Sequence, residues 1–136
     1  MFNSLDNDLA EVMRGKILQA KARVYGCFYL LSLPYVLQAL VFAKKKKCDV
    51  KVILSDDPLN TNTVSYLESH GIPVKIWRQS KGQLHVKLLI VDNVALVGSY
   101  NPTFYGSQYN IELMVEVRDR KDVKSLTLFF DRLWRM

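Results

Sequence analysis

The chain has 136 residues, 49% hydrophobic and 24% charged, which is the composition of an ordinary globular domain and excludes disorder, a collagen repeat or a multidomain array. A chain of this length buries roughly two thirds of its unfolded surface, enough for one core without disulfides or a structural metal, so residues 1–136 are read as a single domain. Nineteen Lys and Arg against thirteen Asp and Glu leave a net +6, a balance that favours anionic partners such as nucleic acid or acidic lipid headgroups.

The charge is unevenly spread. Residues 14–51 hold nine basic side chains and one acid, Asp49, a net +8 that leaves −2 for the remainder. Within that third, the run Lys44, Lys45, Lys46, Lys47 reads either as a solvated helix end on the negative end of the macrodipole or as a phosphate-facing patch. Cys27 and Cys48 lie in apolar segments without CxxC or zinc-knuckle spacing and are read as buried thiols, in keeping with a reducing, cytoplasmic setting.

In chain order, Ser4 is placed to cap a first helix with Leu5, Leu9, Val12, Met13, Ile17 and Ala20 on one face. Residues 24–43 then run uncharged for 20 positions, long enough to span a bilayer. Gly26, Ser32, Pro34 and Gln38 argue against that, because Pro34 breaks hydrogen bonds that lipid cannot replace. A buried strand around Arg23 to Leu30 followed by a helix opened by Ser32 and Pro34 explains the stretch better. Val50–Leu54 reads as a strand buried on both faces. Asp57 and Pro58 suit a helix start, with His70 and Gly71 at its end and Pro73–Trp77 as the next strand.

Leu84–Val91 and Val94–Val97 read as two strands joined tightly at Asp92 and Asn93. Gly98–Gln108 reads as a polar and aromatic loop, Ile111–Val117 as a strand, and Val123, Leu126, Phe130 and Leu133 as the apolar face of a last helix. The expected class is α/β, a mixed β-sheet with helices on both faces.

Chemistry concentrates in the second half. His85 and Lys87 are two apart on one strand and share a face, while Leu84, Val86, Leu88 and Ile90 take the other. An imidazole titrating near neutrality serves as nucleophile or proton donor, and an ammonium beside it holds a phosphate oxygen. The hairpin returns Gly98, Ser99 and Asn101 to the same point, the two side chains as donors and the small glycine admitting a ligand to the backbone. Glu112 on the following strand is placed to accept the other imidazole N–H and fix the tautomer.

The pattern His85-x-Lys87-x4-Asp92, then Gly98-Ser99-x-Asn101, then Glu112, resembles the signature of the phospholipase D superfamily, and the element order is similar to that of its small one-motif endonucleases. One departure is the spacing of Asp92 and Gly98, with five residues between them where the family usually has six, so the hairpin must be tighter or lack a bulge.

The resemblance implies the corresponding sandwich fold and a metal-independent phosphodiesterase that needs no cofactor. His85 attacks phosphorus to give a phosphohistidine, and a second, protonated histidine supplies the leaving alkoxide with a proton. His70 is the sole other histidine, but a helix-end position explains it without catalysis. The family's answer is a homodimer in which two copies of His85 meet. Lys87 and Asn101 then grip phosphate oxygens with help from Ser99, while Asp92 is carried over with the motif and reads as structural at its turn.

The adjacent Asp56 and Asp57 read as a capped helix start rather than a metal site. The expected function is a nuclease of low sequence specificity, with the Lys44–Lys47 run on the substrate backbone and Tyr100, Phe104, Tyr105 and Tyr109 either stacking on bases or packed as core. Two alternatives stand beside it. One is a lipid-acting phospholipase or phosphatidyltransferase at a membrane; the other is a silent nucleic-acid-binding module.

Overall fold

The computed structural model describes residues 1–136. Its framework is one seven-stranded sheet, made of β1 (Phe2–Asn3), β2 (Arg23–Phe28), β3 (Asp49–Ser55), β4 (Val74–Trp77), β5 (Leu88–Val91), β6 (Val94–Gly98) and β7 (Leu113–Val117), in the spatial order β1-β7-β6-β5-β2-β3-β4. The pairs β2–β3 and β3–β4 are parallel and the rest antiparallel. Helices α1 (Leu9–Leu18), α2 (Pro34–Lys45) and α3 (Thr61–Ser69) supply the larger apolar cluster on one face, while α5 (Arg120–Arg135) covers the other. This is the expected mixed sheet between helical layers.

Alternation along β5 shows how the sequence builds both cores. Leu89 and Val91 enter the larger cluster, while Leu84, Leu88 and Ile90 join Tyr25, Cys27 and Phe130 beneath α5, as a period of two requires. Cys27 and Cys48 are buried free thiols, and burial pushes the Cys27 thiol up to about 12. The uncharged stretch 24–43 divides into β2 and α2, with Pro34 at the first turn of the helix. No helix is long and apolar enough to cross a membrane.

Several elements differ from expectation. Ser4 does not cap α1: Asp8 does, accepting from the Glu11 N–H, while Ser4 exchanges hydrogen bonds with Glu112 beside the β1–β7 pair. The strand expected to begin at Leu84 begins at Leu88, because β2 and β6 both end there and leave residues 84–87 without a ladder. The expected loop 98–108 contains a short helix, α4 (Phe104–Gln108), capped by the Thr103 hydroxyl.

The shortened hairpin is tight and unbulged. Val91 pairs with Val94, the register continues to Leu88 opposite Val97, and the Gly98 N–H donates to the Lys87 carbonyl. Asp92 takes the first turn position at φ 52°, a left-handed conformation that Asp tolerates better than most residues.

Candidate active site

The parallel strands β2 and β3 end on the same side as β5 begins, β6 ends and β7 begins. There, an open cleft of about 840 Å³ brings together His85, Lys87, Gly98, Ser99, Asn101 and Glu112, with Asn3, Leu5, Ile111 and Leu113 at its walls. Ending the ladder at Leu88 is what frees His85, which is exposed, while Lys87 two residues on is buried. The Lys87 ammonium donates to the His85 carbonyl at 2.7 Å. Burial lowers the Lys87 pKa and the nearby Glu112 carboxylate partly restores it, so the pair is a cation held in a desolvated mouth by its only charged neighbour.

Asn101 is oriented. Its Oδ1 accepts the Leu30 N–H at 3.2 Å, which turns Nδ2 into the free, donating end of the amide. The backbone around it is clamped, with the Thr103 N–H on the Asn101 carbonyl and the Pro102 carbonyl accepting from Ser32 and Leu33. Gly106 fits closely against this turn, since a Cβ there would stand 2.4 Å from the Asn101 oxygen.

Ser99 lines the cleft, but its hydroxyl is stitched to β7, accepting from the Leu113 N–H at 3.1 Å. Gly98 is small for a different reason than admission of a ligand: a Cβ would lie 2.2 Å from the Leu113 carbonyl oxygen, so the close neighbour is β7 itself. Glu112 stands in the same cleft and makes no hydrogen bond to His85, so the imidazole has no carboxylate partner within one chain.

Other expected residues lie elsewhere. Asp92 sits at the opposite end of β5, about 17 Å along the strand from Lys87 at ~3.3 Å per residue. Its carboxylate binds the backbone N–H groups of Lys21, Ala22 and Arg23. Burial opposes its ionisation, but those donors together hold its pKa below the ordinary value. The Lys44–Lys47 run is also at that far end, spanning the last turn and C-cap of α2, where the Lys46 ammonium ties down the carbonyls of Leu18 and Ala20. Tyr100 is 1% exposed and its hydroxyl pairs with Ser107 at 2.6 Å, so it packs rather than stacks on a base.

Phe104, Tyr105 and Tyr109, in contrast, are exposed and cluster on α4 and its C-cap, Phe104 edge-on to both tyrosines and the tyrosines tilted against each other. His70 caps α3, its Nδ1 bonded to the Tyr66 carbonyl, at the sheet end remote from His85. Asp57 caps the turn at Pro58 through the Leu59 N–H and takes the Tyr29 hydroxyl, and Asp56 binds the Gln79 N–H.

The chain is similar to known proteins in sequence and in fold. The family profile described as "Cardiolipin synthase, PLD-like domain" matches residues 13–134. A mitochondrial cardiolipin hydrolase from Xenopus tropicalis is 31% identical over 122 residues, covering 88% of this chain and 58% of that protein, so the chain spans a little under three fifths of this curated relative. Among solved structures, Nuc from Salmonella typhimurium, a phospholipase D family member, superposes with a TM-score of 0.88 at 25% identity, over 98% of this chain and 91% of its own. NucT from Helicobacter pylori superposes with a TM-score of 0.80 at 17% identity, over 94% and 88% of the two chains. With the His85, Lys87, Asn101 and Glu112 cleft at the strand ends and a profile match across nearly its whole length, this chain belongs to the phospholipase D superfamily.

Proposed function

We propose that the protein is a metal-independent phosphodiesterase that cleaves nucleic acid with little sequence preference, through a phosphohistidine on His85, at a site completed by a second copy of the chain. The observation that carries this reading is an exposed imidazole set beside a buried ammonium and an oriented amide donor, in a cleft with no second histidine. The imidazole nitrogen of His85 attacks phosphorus and the bond to the leaving oxygen breaks. Lys87 Nζ and Asn101 Nδ2 hold the non-bridging oxygens as charge accumulates there.

The leaving alkoxide needs a proton, and general acid catalysis contributes about 10²- to 10⁴-fold. His70 caps α3 at the remote end of the sheet, so the donor imidazole is the partner's His85 across a two-fold axis. Water then attacks phosphorus and the P–N bond breaks to free His85, with the partner's His85, now neutral, accepting the water's proton. Two imidazoles on one phosphate separate in proton affinity, one neutral and one charged. Glu112, unpaired in a single chain, orients His85 when the assembled site brings the ring over it.

The test is cleavage of plasmid and single-stranded DNA and RNA in excess EDTA by the wild type and His85→Ala, with solution mass measured alongside. Chelator-resistant cleavage by a dimer, reduced at least about 10³-fold by His85→Ala, is the expected result. Activity abolished by EDTA, or turnover by a protomer of monomeric mass, overturns the reading.

A second reading, a phospholipase acting on lipid, is favoured by the cardiolipin hydrolase relative and by the exposed Leu5, Ile111 and Leu113 at the cleft walls. Headgroup or phosphatidate release from anionic vesicles, with plasmid intact in the same tube, decides for it.

A further inference from the structure

A second cleft, of about 730 Å³, opens at the sheet end opposite His85, where the β5–β6 turn meets the junction of β7 and α5; Arg23, Asn93, Arg118, Arg120, Lys121 and Lys124 line it. Two of these cations are engaged: Arg118 pairs with Glu116, and Arg23 donates to the Asp92 carbonyl and lies over the Tyr25 ring. Arg120, Lys121 and Lys124 are exposed and belong to none of the molecule's three ion pairs. They occupy the first turns of α5, where the positive end of the macrodipole disfavours cations. Most of the backbone donors there are already spent, since the Asp119 carboxylate accepts from Lys121 and Asp122 and its carbonyl from Val123. Long side chains are the main groups left to bind an anion, which suits an extended polyanion better than one fixed phosphate.

We infer that this cleft is an exosite for the phosphate backbone of a nucleic-acid strand whose scissile bond lies at His85. This rests on the nuclease reading above. Strand β6 separates the two clefts by about 17 Å at ~3.3 Å per residue. At about 3.4 Å per stacked nucleotide, a strand must exceed roughly five nucleotides to reach both. A bilayer is the poorer fit. The cations line the walls of a cleft rather than a flat face, and a membrane bound here holds His85 away from its lipids.

Three exposed charges are removed in Arg120→Gln/Lys121→Gln/Lys124→Gln, with Lys75→Gln/Arg132→Gln/Arg135→Gln as a charge-matched control and Arg120→Lys/Lys121→Arg/Lys124→Arg as a charge-keeping one, all in the His85→Ala background. Binding of fluorescent single strands of about 4 and about 20 nucleotides is followed across a salt series, where each phosphate contact contributes about 0.7 to the slope of log affinity against log salt. Thermal unfolding confirms that each variant is folded.

The expected result is a slope smaller by about 2 on the long strand only, in the first variant only. An unchanged slope, or the same loss in the charge-matched control, overturns the exosite. So does loss of binding to phosphatidylserine vesicles with strand binding intact, which assigns the cleft to a membrane. A protein with His85 restored that cleaves neither strand, yet binds the long one through these three residues, overturns the nuclease reading and leaves the exosite standing.

Discussion

At the residue scale, the spacing of two anticipated that His85 and Lys87 would line one cleft, although the strand expected to carry them begins only at Leu88 and leaves one exposed and the other buried. The state of their neighbours was not legible, since it depends on backbone distances that only the closed sheet defines. Gly98 illustrates this: the contact that excludes a side chain comes from Leu113, fifteen residues on. Tyr100 sits between Ser99 and Asn101 and still faces inward. Lys87 yields a prediction of its own. Burial lowers its pKa and Glu112 opposes that shift, so the ammonium is lost as pH rises at a lower value than for a free lysine. Glu112→Gln removes the opposing charge and is expected to move the alkaline limb of kcat/KM to lower pH. A pH–rate profile of the two proteins checks it, with a limb moving the other way refuting the pairing.

At the element scale, the strands and long helices follow the apolar pattern, while the boundaries obey neighbours. The N-terminal segment is the clearest case. Asp8 followed by Glu11 carries the local capping signal, but Ser4 offers a similar one, and what decides is that Phe2–Asn3 pairs with β7 and takes Ser4 out of helical geometry. Likewise α4 is hidden by a mostly polar and aromatic sequence without helical periodicity, and exists because Thr103 caps it and Gly106 lets it rest on Asn101. The contact between β6 and β7 sets the prediction here. Gly98→Ala puts a Cβ 2.2 Å from the Leu113 oxygen, which forces the strands apart. The expected cost is about 3 kcal/mol, at the upper end for overpacking, read by denaturant unfolding. Activity is expected to fall in the fraction that folds, since Ser99 and Glu112 ride on the same contact; wild-type stability argues against the close approach.

At the scale of the whole molecule, the layered class follows from alternating helices and strands, but the spatial order of the strands does not, and that order decides which sequence features meet. The sheet brings residues 85, 87, 99, 101 and 112 to one end and sends the lysine run to the other. A shared site predicts a mixing result: after subunit exchange between equal amounts of wild type and His85→Ala, activity per total protein falls to about one quarter of the all-wild-type value under random pairing. Independent protomers retain one half.

Placing the excess cations of Lys44–Lys47 and Arg120–Lys124 at the pole away from the cleft gives each protomer a permanent electric dipole. In dilute buffer a polyanion is caught first at that pole, by the Lys44–Lys47 run as readily as by the exosite, and a strand gripped by the lysine run must transfer to the exosite before its scissile bond reaches His85. Raising ionic strength first relaxes that grip and only later abolishes capture. Turnover of a long strand should therefore climb and then decline as salt is added; a purely downward curve would show that arrival and alignment are not in competition.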